Sequence, residues 1–184
     1  MTSRILTVPN QLTFLRLVFL PFFIIAIHYD RYGIALLILL AAGMSDALDG
    51  LLARGLNQKS PLGAYLDPIA DKLLMMSSYL ALALHGKIRW WLTILVLSRD
   101  VLMLIAAAAI LITVGYRPFP PSIYGKATTF FEILLIVLVL VLSVWDNRNL
   151  WIVRNVCSYL VATFVMVSWL HYSIVVARRL QSGT

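Results

Sequence analysis

Acidic charge is scarce in this sequence. Eight aspartates and glutamates stand against fifteen lysines and arginines in 184 residues, and charged residues of all kinds make up only 12% of the chain. That is about half the share of an ordinary soluble domain. The one cysteine, Cys157, excludes an intramolecular disulfide. The three histidines, His28, His85 and His171, lie near the ends of apolar segments with no ligand-like spacing to one another, so they are not read as metal ligands. No internal repeat is evident, and no linker is long enough to divide the chain, so residues 1–184 read as one domain.

Apolar sequence is abundant instead. Hydrophobic residues account for 61% of the chain and the mean hydropathy is +0.91. Stretches near the ~20 residues needed to cross a bilayer recur along it. Six spans are expected, at residues 12–29, 33–54, 66–86, 90–115, 124–145 and 150–176, giving an all-α, polytopic six-helix membrane bundle. Short polar or turn-rich pieces such as "YDRYG", "GLNQKSPLG" and "HGKIR" separate them. The first residues lack a small-residue cleavage site and read as retained. Residues 2–10 suit a short interfacial lead-in, with Pro9 expected to stop a continuous helix there.

A formal net charge of +7 could indicate a nucleic-acid partner, but the cations cluster at the ends of apolar segments. That placement is a topology signal and suits contact with anionic lipid. Arg4, Arg16, Arg54, Lys59, Lys72, Arg117, Lys126, Arg178 and Arg179 fall on the side of the N-terminus; Arg31, Lys87, Arg89, Arg148 and Arg154 fall on the other. The excess places both termini in the cytoplasm. Trp90, Trp91, Trp145 and Trp151 at span ends form an interfacial belt.

Half of the scarce acids sit together. "SDALDGLLARGLNQKSPLGAYLDPIADK", residues 45–72, holds Asp46, Asp49, Asp67 and Asp71 between two apolar segments. Asp46 and Asp49 are three apart and Asp67 and Asp71 four apart, so each pair shares a helical face. Counted from Arg31 and back from Lys87, Asp46 and Asp71 lie ~22 and ~24 Å from the far surface, at similar depth in a ~30 Å core. Converging carboxylates near lipid repel one another and lose hydration unless cations sit among them. Oxygen donors without His or Cys nearby favour Mg²⁺ or Mn²⁺. Four could share two such ions, an arrangement suited to clamping phosphoryl oxygens. Gly50 and Ala53 leave room beside the same face, and Arg54 offers a fork suited to phosphate. A cation-coupled carrier would also cluster acids in a membrane, but its proton or ion path would not need Gly50, Ala53, Arg54 and Gly63.

The pattern Asp46-x2-Asp49-Gly50-x2-Ala53-Arg54-x8-Gly63-x3-Asp67-x3-Asp71 resembles, without gap or substitution, the signature of the CDP-alcohol phosphatidyltransferases. "VPNQLTFLR" is similar to that family's opening segment, with Pro9, Asn10, Thr13 and Arg16 matching. The resemblance implies a six-helix membrane enzyme, expected as a homodimer, that transfers a phosphatidyl group from CDP-diacylglycerol to an alcohol and releases CMP. It implies metal binding by Asp46, Asp49, Asp67 and Asp71, with Asp71 also the base for the acceptor hydroxyl. It places Asn10, Thr13, Gly50, Ala53, Arg54 and Gly63 around the CDP moiety.

Acceptors in the family include glycerol 3-phosphate, phosphatidylglycerol, inositol or its phosphate, and serine. The build is most similar to the glycerol-type branch, and "SRDVLMLIAA" resembles its cardiolipin synthases. Arg99, Arg117 and Lys126 are the candidate acceptor ligands. Arg99 and its neighbour Asp100 lie ~14 Å into the fourth span and are expected to point apart, each toward its own partner. Glu132 is expected to face a buried cation. A bacterial inner membrane is the expected location.

Overall fold

The computed structural model describes the backbone of residues 8–56, 61–114, 123–145 and 148–181, with side chains over 15, 17–45, 72–105, 125–145, 150–170 and 172. The described residues form six α-helices and no strand: α1 (Val8–His28), α2 (Tyr32–Leu56), α3 (Pro61–Leu84), α4 (Trp90–Val114), α5 (Ile123–Val144) and α6 (Arg148–Gln181). Two boundaries differ from those expected. Pro9 does not hold off the first helix, which begins at Val8; a proline in the first turn loses no hydrogen bond, because that N–H has no helical partner anyway. α3 starts at Pro61 and takes in Gly63, which had read as part of a turn. Pro61 occupies the first helical position, where its fixed φ suits the start.

The contacts divide the chain into two compact units. The first holds α1, α2 and α3 to Lys87, together with Ser143–Trp145 at the end of α5. Within it α1 packs against both α2 and α3. Phe23, Ala26 and Ile27 of α1 are buried, as are Ala35, Leu39 and Ala42 of α2 and Leu74, Met75, Ser78, Tyr79 and Leu82 of α3. Each set repeats at three- and four-residue steps, so one stripe of each helix faces its neighbours. Small side chains at Ala35 and Ala42, both fully buried, let the helix backbones approach closely.

The second unit comprises α4, most of α5, and α6. α6 buries Cys157, Val161, Val165 and Ser168, one residue per turn. Phe131 of α5 stacks on Phe164 of α6, with ring centroids 4.8 Å apart and an interplanar angle of 14°. Thr128 donates its hydroxyl to the Phe164 carbonyl at 3.2 Å, and the Cys157 thiol lies 3.8 Å from the Phe131 carbonyl.

The outward faces are greasy. Leu37, Met44, Ile94, Phe130 and Leu170 are all more than half exposed. Such faces suit hydrocarbon and not water. Among the described residues two helices are long and apolar enough to cross a membrane, Gly125–Val144 and Leu150–Leu170. Only 33% and 17% of their apolar windows are buried, which is unlike the core helix of a soluble protein. Shorter apolar stretches run over Leu17–His28, Tyr32–Ser45 and Lys72–Leu84, the last two abutting the aspartate segment.

α1 and α3 close in the same way. Arg31 N–H bonds the Ala26 carbonyl and Lys87 N–H the Leu82 carbonyl, both at 2.8 Å. In each case a residue with positive φ precedes, Asp30 at 56° and Gly86 at 67°. This is the six-to-one closure of a helix C-terminus, and it needs a left-handed residue at that point. The two ends meet: His28 and His85 sit edge to face with centroids 6.1 Å apart, and the Lys87 ammonium lies 4.7 Å from the Tyr32 ring centroid.

Filling a close helix approach should cost more than stripping an outward side chain. Ala35→Leu is expected to destabilise the protein by about 1–3 kcal/mol through overpacking. Leu37→Ala, on the exposed face of the same helix, should stay within about 0.5 kcal/mol. Denaturant unfolding in detergent micelles measures both.

Candidate active site

The aspartate motif is carried on continuous helix. α2 runs unbroken through Asp46, Asp49, Gly50, Ala53 and Arg54, and α3 through Gly63, Asp67 and Asp71. The backbone therefore gives the i, i+3 and i, i+4 relations that place each aspartate pair on one helical face. Asn10 and Thr13 lie in the first two turns of α1, the helix that packs on both α2 and α3. The side chains of Asn10, Thr13, Asp46, Asp49, Gly50, Ala53, Arg54, Gly63, Asp67 and Asp71 lie outside the described residues, as does all of Arg117. Among the described residues no group of three or more His, Cys, Asp or Glu could hold a metal ion. The donor set of the motif itself, four carboxylates without nitrogen or sulfur, fits a hard divalent cation.

The remaining acceptor candidates separate clearly. Lys126 is exposed in the first turn of α5. Arg99 is only 3% exposed and is engaged through both terminal nitrogens, while its Nε is buried without a hydrogen-bond partner. Its Nη1 donates to Oδ1 of Asp100 at 2.6 Å, and its Nη2 donates to Ser168 Oγ on α6 at 3.2 Å. The expectation that Arg99 and Asp100 turn to different partners is therefore corrected. Adjacent Cβ atoms diverge by about 100° around a helix, but the long guanidinium stem bends back to the short carboxylate. In an apolar surround the attraction outweighs the rotamer cost.

Glu132 is fully buried on α5, one turn beyond Thr128. Thr93, Thr128 and Ser168 are buried as well, so the second unit carries a polar seam inside an apolar bundle. Ser168 escaped notice in the sequence because one serine in an apolar helix carries no motif. Its place in the stripe with Cys157, Val161 and Val165 was the available signal. The approach of His28 to His85 was equally hidden, since their 57-residue separation says nothing about two helix ends that meet.

The Arg99–Asp100–Ser168 contact makes a direct energetic demand. Asp100→Asn should destabilise the protein by about 3–5 kcal/mol, because it leaves a buried guanidinium without its counter-charge. Ser168→Ala should cost about 1 kcal/mol. The double variant Arg99→Met/Asp100→Leu should be closer to the parent than Asp100→Asn is, since it removes both charges together. Equilibrium unfolding of the four proteins in one micelle system gives the comparison.

Comparison with known proteins supplies the wider context. The family model for CDP-alcohol phosphatidyltransferase matches residues 6–171, across both units. A protein of Aquifex aeolicus named CDP-diacylglycerol--glycerol-3-phosphate 3-phosphatidyltransferase is 35% identical over 171 residues, covering 92% of this chain and 95% of its own. A cardiolipin synthase (CMP-forming) of Streptomyces coelicolor is 42% identical over 135 residues, 70% of this chain and 62% of its own. A human protein of that same name is 42% identical over 115 residues, 62% of this chain and 37% of its own. The chain spans about three fifths of the length of the mycobacterial and streptomycete relatives it matches. With the motif intact on α2 and α3 and nine-tenths of its length matched, the chain belongs to the CDP-alcohol phosphatidyltransferase family.

Proposed function

We propose that this protein transfers a phosphatidyl group from CDP-diacylglycerol to a hydroxyl of phosphatidylglycerol, forming cardiolipin and releasing CMP. The observation that carries the reading is the complete Asp46-to-Asp71 pattern lying on two uninterrupted helices. Residues 1–184 act as one catalytic domain in a six-span membrane bundle, as a homodimer, with both termini and the motif at the cytoplasmic face of a bacterial inner membrane. The excess of cations on the side of the N-terminus supports that orientation.

Asp46, Asp49, Asp67 and Asp71 hold two divalent ions, Mg²⁺ or Mn²⁺, which when bound supply the counter-charge for the pyrophosphate and for the departing CMP. Arg54 holds the nucleotide phosphates with its planar fork. Gly50, Ala53 and Gly63, having little or no side chain, admit the cytidine against the helix backbones, beside Asn10 and Thr13. Asp71 accepts the proton of the acceptor hydroxyl as its oxygen bonds to the diacylglycerol-linked phosphorus. The bond from that phosphorus to the bridging oxygen breaks, and the electron pair leaves with CMP. A carboxylate is an adequate base once the hydroxyl is oriented beside cationic charge.

The state of Arg99 favours phosphatidylglycerol over glycerol 3-phosphate. A phosphomonoester dianion asks for more fixed positive charge than a phosphodiester, and the Arg99 guanidinium is already shared with Asp100 and Ser168. Glycerol 3-phosphate is the second reading, favoured by the near full-length match to the Aquifex aeolicus protein. In that case Arg99, Arg117 and Lys126 are the acceptor ligands, and Arg99 exchanges a present partner for the phosphate. Serine and inositol phosphate use the same chemistry but have no such support. A cation-coupled carrier would give ion flux in sealed vesicles and no CMP.

Purified protein with Mg²⁺ or Mn²⁺ and CDP-diacylglycerol should release CMP when given phosphatidylglycerol, and mass spectrometry of the lipid should show cardiolipin. Parallel reactions with glycerol 3-phosphate, inositol 1-phosphate and serine decide the acceptor; serine or inositol phosphate as the only one used would refute the glycerol-type assignment. Asp71→Asn should lower kcat by roughly 10²–10⁴-fold while retaining much of the nucleotide affinity; an active variant removes the base assignment. EDTA should stop turnover, and added Mg²⁺ or Mn²⁺ should restore it.

A further inference from the structure

Within the second unit α4 and α6 run in the same direction. Trp91 of α4 stacks on Tyr159 of α6, with centroids 6.4 Å apart, and two turns further on Arg99 reaches Ser168. The start of α4 therefore lies beside the third and fourth turns of α6, about 16 Å along that helix from Arg148. Two arginines lie close to this level. Arg154 lies over the Trp151 ring, its guanidinium carbon 3.8 Å from the centroid, and its Nη2 donates to Asn155 Oδ1 at 3.2 Å. Arg89 immediately precedes α4 and accepts the N–H groups of Leu92 and Thr93 on its carbonyl. Its charge is within range to act on Arg154.

Neither arginine forms an ion pair among the described residues, whereas Arg99, deeper in the same unit, does. The two guanidiniums repel one another in the absence of an anion. The Arg154 guanidinium is a planar fork held over Trp151, and its geometry suits two-point bonding to phosphate oxygens. The surround is apolar and outward-facing: Trp90, Trp91, Trp151, Ile152, Val156 and Tyr159 are each 42% to 62% exposed. A free inorganic anion has no use for those faces. A lipid has use for both parts, with its phosphate at the arginines and its acyl chains along the helices.

We propose that Arg89 and Arg154, framed by Trp91 and Trp151, form a binding site for the phosphodiester of an anionic phospholipid at the membrane interface. The site is formed by residues outside the aspartate motif and takes no part in the transfer reaction. Its occupant ties the start of α4 to α6 and stabilises the second unit.

The probe is phosphatidylserine, an anionic diester without the free glycerol hydroxyls of the proposed acceptor. Protein in phosphatidylcholine nanodiscs is compared with protein in discs containing phosphatidylserine, and with phosphatidylcholine discs given inorganic phosphate. Retained lipid is counted by native mass spectrometry, and the thermal unfolding midpoint is followed. Phosphatidylserine should be retained and should raise the midpoint. Arg89→Gln/Arg154→Gln should cut that retention roughly tenfold or more, from the loss of two interfacial cations. Arg154→Lys keeps the charge without the planar fork and should fall between, which reads the site even if the double variant folds poorly. Equal retention by parent and variants, equal retention of phosphatidylcholine, or a midpoint rise reproduced by inorganic phosphate alone would each overturn the lipid site.

Discussion

An ionised group in hydrocarbon is tolerable only with a counter-charge and hydrogen bonds at hand, and that constraint organises this molecule. Arg99 shows how it is met inside the bundle. The residue adjacent in sequence supplies the carboxylate, and Ser168 from α6 takes a further N–H. The charge is neutralised within α4, and the hydrogen bond to Ser168 carries the contact across to α6. A buried ion pair adds little net stability over a well-packed apolar pair. The Ser168 bond adds specificity of helix register, because sliding α6 by one residue against α4 would carry Ser168 away from the guanidinium.

The same constraint gives the aspartate segment its meaning. Four carboxylates in 26 residues cannot neutralise one another, and Arg54, Lys59 and Lys72 provide fewer charges than they need. On the proposed reading, divalent ions and a pyrophosphate together would close the balance, the metals offsetting the acids and the phosphates offsetting the metals. Such a site would be most stable when loaded.

Much of this was legible in the chain. The helix count and type follow from apolar stretches near bilayer length, and the family from a spacing pattern that helix geometry alone does not require. The misreadings were local. Pro9 read as a barrier and Pro61 as part of a connecting turn, yet both sit in the first turn of a helix, where proline is permitted. Arg99 and Asp100 read as divergent because helical wheel geometry fixes Cβ directions and not the reach of a four-carbon cationic side chain. The meeting of His28 with His85 depends on which helix ends are neighbours, and residue spacing along one chain does not encode that.

The choice of acceptor is hard to read for the same electrostatic reason. Glycerol 3-phosphate and phosphatidylglycerol offer the same kind of hydroxyl to the same base, so the motif need not change between them. They differ by about one unit of charge at the phosphate and by two acyl chains. One unit of charge asks for one more unshared cation, and acyl chains ask only for an open apolar flank, which a bundle already provides along its whole length. If phosphatidylglycerol is the acceptor, as we propose, selectivity toward it rests chiefly on withholding a cation. Asp100 beside Arg99 would do that, keeping the arginine in place for packing while lowering its attraction for a small dianion.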